Sequence, residues 1–213
     1  MDTFQRIGAD AAVTSELRFS VRWLIGWYLV AVAALLVLHG VALVGRHGFD
    51  LPRDSGLVGM LHLDEEANLP TLFAVWLILN VAVACGVIWR TAPRDRNYWA
   101  GLAVIFTLLA LDEFAAVHER LVAPLQDRFD TSGLLYWAWV IPYVIGALVL
   151  ALVYSRWLLR LERPVRLGFL LSGVLYIGGA VVLEAVSGWH FEREGARDLW
   201  FDLISTVEEL LEL

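Results

Sequence analysis

Five long apolar runs dominate this sequence, and their lengths constrain the fold more than any other feature. They cover about residues 21–44, 69–89, 98–117, 134–157 and 167–188. At about 1.5 Å per helical residue, each run is long enough to cross a hydrocarbon layer of roughly 30 Å. Because backbone polar groups in such a layer must be paired within the protein, helices are favoured. The pattern therefore predicts an all-α, polytopic transmembrane helix bundle.

A sixth apolar run, residues 199–213, is shorter than the others. It is expected to be either a short helix tilted into the bundle or a span that the sequence truncates. We therefore predict about six helices in one transmembrane domain, residues 1–213. The composition agrees, since 59% of the 213 residues are hydrophobic and the mean hydropathy of +0.66 is too high for a soluble domain of this length.

The distribution of arginine predicts the orientation. All sixteen basic residues are arginine, so a retinal Schiff base, which needs lysine, is excluded. Ten arginines lie before or at the start of the first run, in the loop at residues 90–96 and around residues 156–166, and six lie on the other side. Cytoplasmic loops are enriched in arginine, which predicts a cytoplasmic N-terminus. The Ala, Arg, Leu, Val and Gly bias is typical of a GC-rich bacterial genome, which favours the bacterial inner membrane.

Acidic residues show the opposite bias, with eighteen of 23 on or near the predicted outer side. This bias argues against nucleic acid and anionic lipid as ligands and favours cations or neutral lipophiles. Asp112, Glu184 and Glu208 lie inside predicted helices, where a lipid-facing carboxylate costs about 2.5 to 3.5 kcal/mol. We therefore expect these three acids to face inward and converge in one polar pocket.

The segment ALDEFAAVHER, residues 110–120, carries four candidate ligands. On a continuous helix Asp112 and Glu119, seven residues apart, share a face. Glu113 and His118 lie on the two flanks of that face. One helix can present all four side chains to one site only if it bends or ends near His118.

A second acidic segment, HLDEEANLP, precedes the second run. Asn68 is a suitable N-cap and Pro70 suits a first helical turn. Asp64 and Glu65 are explained by a favourable interaction with the helix dipole. Glu66 is nearest the bundle and is the preferred ligand from this segment.

Carboxylates inside the bundle need protons, arginine or metal for neutralisation, and the spans contain arginine only at their cytoplasmic ends. The set is rich in carboxylate and poor in histidine, although all five histidines fall on or near the outer side. It suits a divalent transition metal (Fe, Mn or Zn), as one ion or two. Neither HExxH nor the paired ExxH of di-iron bundles is present. The predicted ligands are Glu66, Asp112, His118, Glu119, Glu184, Glu208 and Glu209, and Glu113 is the predicted catalytic proton carrier.

Other polar and aromatic residues in the runs have structural explanations. Asn80 is expected to hydrogen-bond between helices, and Pro142 is expected to kink the fourth helix. The tryptophans near the ends of the runs are typical of interfacial belts; they are Trp89, Trp99, Trp137, Trp139 and Trp157.

The segments LDEEANLPTLFA, ALDEFAAVHER and TVEELLEL together resemble parts of uncharacterised bacterial multi-pass inner-membrane proteins, with acids recurring at helix ends. The resemblance spans residues 62–213 and implies a membrane bundle with a polar site. A weaker likeness is to membrane metallohydrolases of the alkaline ceramidase and adiponectin-receptor type. This sequence departs from that type because it has no paired HxxxH and one helix too few.

Three functions are compatible with these features. The first is a metal-dependent membrane hydrolase or oxidoreductase that acts on a lipid or lipophilic substrate near the outer leaflet. The second is a transporter or channel for a cation or protons that uses the same acids. The third is a structural subunit whose acids pair with the arginines of a partner. Membrane lipid is an expected partner in each case, and the sequence leaves an oligomer open.

Overall fold

The computed structural model describes residues 21–92 and 94–213, and within these ranges the chain forms helices and no strand. Arg6 and Arg18, which entered the orientation argument, lie outside the described residues. A 3-10 turn, Gly133–Leu135, precedes α6, and a π-helical segment, Gly178–Leu183, joins α7 to α8. The helices are α1 (Val21–Phe49), α2 (Gly56–Leu61), α3 (Leu69–Thr91), α4 (Arg96–Ala115), α5 (Val117–Phe129), α6 (Val140–Leu158), α7 (Arg163–Ile177), α8 (Glu184–Glu194) and α9 (Leu199–Glu212).

Five helical stretches in the described residues are long and apolar enough to cross a membrane. The prediction of an all-α bundle is confirmed. The fifth stretch is longer than expected, because α7, the π-helical segment and α8 continue one another from Arg163 to Glu194. The sixth apolar run forms α9, whose 14 residues extend about 21 Å and enter the bundle without crossing it.

An aromatic core fills the end of the bundle that carries the 90–96 loop, which we call the arginine-rich end. Trp157 of α6 is 1% exposed. It stacks on Tyr98 with ring centroids 5.4 Å apart and meets Trp99 edge-on at 5.1 Å. Cys85 and Phe169 complete the contacts from α3 and α7. Four helices therefore close this end with apolar packing.

The opposite end, which we call the acidic end, is built from shorter elements. Leu51 and Val58 pack close to Gly45 of α1, which places α2 against the last turns of that helix. Asp198 begins α9 by accepting a hydrogen bond of 2.9 Å from the backbone N–H of Phe201. Capping by aspartate satisfies one of the free N–H groups of the first turn. From this start α9 extends inward from the acidic end.

Several expectations about single residues were wrong. Asn80 donates to the carbonyl of Trp76 in its own helix and not between helices, because that carbonyl lies one turn back. Pro142 lies in the first turn of α6, where proline needs no kink, because residues 136–139 are not helical. Trp139 and Trp157 are buried and do not form an interfacial belt.

Candidate functional site

The site begins at a break between α4 and α5. Ala116 has φ +46° and ψ +48°, a left-handed conformation that ends α4 after Ala115 and starts α5 at Val117. The break lets the backbone N–H of His118 donate to Asp112 Oδ1 at 3.0 Å. The same turn places His118 Nδ1 3.5 Å from Asp112 Oδ2. The helix therefore folds its histidine back over its own aspartate.

Asp112 is held from a second helix as well. Tyr143, in the first turns of α6, donates its hydroxyl proton to Asp112 Oδ2 at 2.6 Å. The ring of Trp139 packs against both His118 and Tyr143, with its centroid 4.9 Å from that of His118 and 4.8 Å from that of Tyr143. Both carboxylate oxygens of Asp112 therefore accept a hydrogen bond, which fixes the orientation of the side chain.

Glu66 reaches the same histidine from the loop before α3. Asn68 caps α3 by accepting from the backbone N–H of Thr71 at 3.0 Å, and its amide donates to the carbonyl of His62 at 2.6 Å. This loop geometry places Glu66 Oε1 3.7 Å from His118 Nε2. Both ring nitrogens of His118 thus face carboxylates.

Glu66 and His118 lie outside the membrane-spanning helices, and both have shifted pKa values. Burial and the charge of Glu113 raise the pKa of Glu66 to about 7, against the opposing effect of His118. Burial lowers the pKa of His118, but the hydrogen bond and charge of Asp112 and the charge of Glu66 outweigh it, so the pKa is raised to about 9. The neighbouring carboxylates therefore favour the protonated, positively charged form of His118 at neutral pH.

Glu184 enters from the fifth span, directly after the π-helical segment. Its Oε1 accepts from the indole N–H of Trp139 at 2.8 Å, and the hydroxyl of Ser187 lies 3.4 Å from its Oε2. Trp137 packs so closely on Gly188 that a Cβ there would lie 2.6 Å from the indole ring. The absence of a side chain at Gly188 therefore allows Trp137 to pack closely, next to the Trp139 that donates to Glu184.

The inner turns of α9 complete the group. A Cβ on Gly179 of the π-helical segment would lie 2.8 Å from the carbonyl of Glu208 and 3.0 Å from Cγ of Glu212. The charge of Glu184 acts on Glu208, and the charges of Glu209 and Glu212 act on Glu113 and Glu66, so these acids are neighbours. We call this group the acid pocket, and its members are Glu66, Asp112, Glu113, His118, Glu184, Glu208, Glu209 and Glu212.

Of the predicted site residues, Glu119 lies apart. It was placed on the face of Asp112 under the assumption of a continuous helix. Because the chain breaks at Ala116, Glu119 begins α5 with its side chain exposed and makes no hydrogen bond to a described residue. The structure therefore gives no contact between Glu119 and the other predicted ligands.

A second polar group lies at the mouth of the acidic end and centres on Asp202, which is fully buried. His47 Nε2 donates to Asp202 Oδ2 at 2.7 Å, Arg46 Nε lies 3.3 Å from the same oxygen, and Arg53 Nη1 donates to Oδ1 at 3.2 Å. Arg53 also pairs with Asp64 and Glu65. We call this group the rim network, with members Arg46, His47, Arg53, His62, Asp64, Glu65 and Asp202.

The site contains residues that the sequence analysis missed. Tyr143 and Trp139 lie four residues apart, a spacing that would place both on one face of the helix predicted over residues 134–157. Glu212 follows Glu208 by the same spacing, a signal that was present in the sequence. Asp202 was not recognised, because its arginine and histidine partners come from α1 and the following loop.

Some buried polar atoms of the site have no hydrogen-bond partner among the described residues: Glu66 Oε2 and Glu208 Oε2 in the acid pocket, Ser205 Oγ on α9 and both ring nitrogens of His62. Buried polar groups are nearly always paired with protein, water or a ligand. In the described ranges, no three His, Cys, Asp or Glu side chains are grouped as they would be around a metal ion.

The fold and the site define a helical membrane protein with a carboxylate-rich pocket in one half of the bundle. Residues 27–213 match the model of a domain of unknown function, DUF8692, and the chain belongs to that family. No curated protein and no solved structure matches the chain significantly.

Proposed function

We propose that this protein is a metal-dependent integral membrane enzyme that acts on a lipophilic substrate at the acid pocket. The observation that carries the proposal is the convergence of carboxylates from four separate elements. Glu66 comes from the loop before α3, Asp112 from α4, Glu184 from α8 and Glu208 from α9. Helices from distant parts of the sequence thus deliver acids to one region of a bundle.

Charge makes a cation the natural occupant of the acid pocket. Its members are seven carboxyl groups and one histidine. Closely spaced carboxylates away from water repel one another unless protons or a cation neutralise them. Glu208, only 6% exposed, has a buried oxygen without a protein partner. A divalent cation would satisfy both the charge and that oxygen.

The donor set suits Fe, Mn or Zn, because it is mostly carboxylate oxygen with one imidazole, which would lose its proton on binding the metal. The residues that would hold one ion or two are Glu66, Asp112, His118, Glu184, Glu208 and Glu209. Such an ion would act as a Lewis acid or activate water or dioxygen. Tyr143 and Trp139 would hold Asp112 and Glu184 in orientation, as outer hydrogen-bond donors do in metal sites. Glu113 would carry protons to and from the substrate.

The packing of the bundle supports an enzyme over a channel. The acid pocket lies at the acidic end, and the aromatic core around Trp157 fills the opposite end. A conduction path needs polar side chains through both halves. A group of acids confined to one end of the bundle suits a substrate that enters from the membrane or from the acidic face. We place the protein in a bacterial inner membrane with a cytoplasmic N-terminus, on the arginine distribution.

Elemental analysis of protein purified without chelator tests the proposal. We expect near-stoichiometric Fe, Mn or Zn in the wild type and a loss of at least half in Glu184→Gln, which keeps the size of the side chain and removes its charge. Glu194→Gln is the matched control, because Glu194 is exposed at the end of the same helix. Wild-type protein without metal, or equal metal content in all three proteins, would overturn the proposal.

A proton-coupled transporter is the second candidate, and one observation favours it. Glu184 and Glu208 are neighbouring acids in the inner part of the acid pocket. Successive acidic residues inside a membrane form the proton relays of many pumps and transporters. Metal-free wild type that moves protons across vesicle membranes would favour this candidate.

A further inference from the structure

The unpartnered buried polar atoms follow α9 from the rim network to the acid pocket. Asp202, Ser205 and Glu208 lie three residues apart and are all buried. Each step is about 4.5 Å along the helix axis, so the three side chains form a polar stripe about 9 Å long. The stripe begins at the rim network and ends in the acid pocket.

His62 lies beside the first residue of this stripe. Its side chain is fully buried, with Nε2 3.6 Å from Asp202 Oδ1. Neither ring nitrogen has a hydrogen-bond partner among the described residues, and neither does Ser205 Oγ. Leaving a buried polar group unpaired costs about 1 to 3 kcal/mol. Several such groups in one region are most simply satisfied by internal water, which typically makes about three hydrogen bonds in a protein interior.

His39 provides a contrast within the same region. It is as buried as His62, and the two ring centroids are 4.7 Å apart. Both its nitrogens have protein partners, however: Nδ1 accepts from the backbone N–H of Leu63 at 3.1 Å, and Nε2 lies 2.8 Å from the Thr206 hydroxyl. Burial alone therefore does not explain the free nitrogens of His62.

We infer that ordered water binds between His62 and Ser205 and connects the rim network to the acid pocket as a proton path. His47, which bonds to Asp202 and is 27% exposed, provides the contact with bulk solvent. A neutral His62 accepts a proton at one ring nitrogen and releases one from the other, so its net protonation is unchanged by a transfer. Water at Ser205 continues the path to Glu208.

The surroundings of His62 favour this role. Burial lowers the pKa of His62, the nearby carboxylate of Asp202 opposes that shift, and the charges of Arg53 and Arg46 reinforce it. The imidazole is therefore neutral at physiological pH and keeps one donor and one acceptor nitrogen. Its other close neighbour is the His39 ring.

Radiolytic hydroxyl-radical labelling of the full-length protein in detergent, read by mass spectrometry, tests the water site. Radicals formed from bound internal water label adjacent side chains that bulk solvent does not reach. We expect His62 to be labelled at least several-fold faster than His39, with exposed His47 as the upper reference. Equal rates at His62 and His39 would overturn the inference.

A variant tests the continuity of the path. Ser205→Val removes the hydroxyl and fills its space with a methyl group, so labelling of His62 should fall several-fold. Ser155→Val, on the exposed surface of α6 near the arginine-rich end, is the control and should leave labelling unchanged. Unchanged labelling in Ser205→Val would overturn the path through Ser205.

The purpose of the path rests on the proposed function, but the water site does not. Metal content measured on the same samples separates the two. A wild type without metal but with rapid labelling of His62 would reject the enzyme proposal and keep the water site. Metal-loaded protein with slow labelling at His62 would reject the water site and keep the enzyme proposal.

Discussion

At the scale of single residues, the site depends on hydrogen bonds that orient acids. Tyr143 donates to Asp112 at 2.6 Å, and Trp139 donates to Glu184 at 2.8 Å. Each donor comes from the start of α6, so one segment orients carboxylates of two other helices. The sequence indicated the acids, because charge in an apolar run is conspicuous. It did not indicate the aromatic donors, because tryptophan and tyrosine near a helix end are ordinary.

Replacing Tyr143 with Phe should weaken metal binding without unfolding the protein. The change removes one hydrogen bond to Asp112 and keeps the ring. Loss of such an outer partner typically costs about 10- to 100-fold in metal affinity. Competition with a chelator of known affinity measures the effect. Tyr154→Phe, whose hydroxyl bonds to the carbonyl of Tyr98 at the arginine-rich end, should leave the affinity unchanged; equal affinities in both variants would refute the role of Tyr143.

His62 should make the stability of the acidic end dependent on pH. Its pKa in the folded protein is lowered by burial, with Asp202 opposing and Arg53 and Arg46 reinforcing the shift. The stabilisation from the neutral ring is therefore complete above the unfolded value of about 6.5, and it is lost as pH falls below that value because the unfolded chain takes up a proton first. Thermal unfolding of wild type between about pH 7 and pH 5 should show a steeper fall in Tm than His62→Phe. Parallel curves for the two proteins would show that His62 does not titrate in this way.

At the scale of helices, interruptions position the site. The α4–α5 break at Ala116 turns His118 toward Asp112, and the π-helical segment leads into Glu184. Insertions of π-helix occur frequently at functional sites. Neither interruption could be predicted from the sequence. Alanine favours continuous helix, so the break depends on the tertiary contacts of Asp112 and His118, and the π-helical segment lies in an apolar run with helical composition throughout.

A pair of glycine substitutions at the break should have effects of opposite sign. Ala116→Gly should stabilise the protein by up to about 1 kcal/mol, since glycine adopts the left-handed conformation without steric cost. Ala115→Gly, one residue earlier in regular helix, should destabilise it by roughly 0.5 to 1 kcal/mol. Unfolding in mixed micelles with increasing SDS gives both values. Destabilisation by both substitutions would show that Ala116 is not left-handed in the membrane.

At the scale of the whole molecule, the two ends of the bundle differ in chemistry. Apolar and aromatic packing closes the arginine-rich end, and the acid pocket and rim network occupy the acidic end. The spans could be predicted because hydropathy alone determines them. The rim network could not, because Asp202 and Arg53 are 149 residues apart and nothing local in the sequence links them.

The orientation can be tested with single cysteines at Asp95 and Asp127, which are exposed at opposite ends. The native Cys85 is buried, so an introduced thiol dominates labelling. A cytoplasmic N-terminus predicts that a membrane-impermeant maleimide labels position 127 in intact cells and position 95 only after lysis. Labelling of position 95 in intact cells would invert the topology and place the acid pocket in the inner leaflet.

The most direct test of the central claim is an anomalous-difference map from crystals of the protein, collected at the absorption edge of the metal found by elemental analysis. Our account predicts a peak in the acid pocket about 2.0 to 2.2 Å from carboxylate oxygens, with Glu184 and Glu208 among the ligands. It also predicts that the peak is lost in Glu184→Gln. A map without a peak in the pocket, with Glu184 and Glu208 hydrogen-bonded to each other, would contradict the account and favour a site that binds protons.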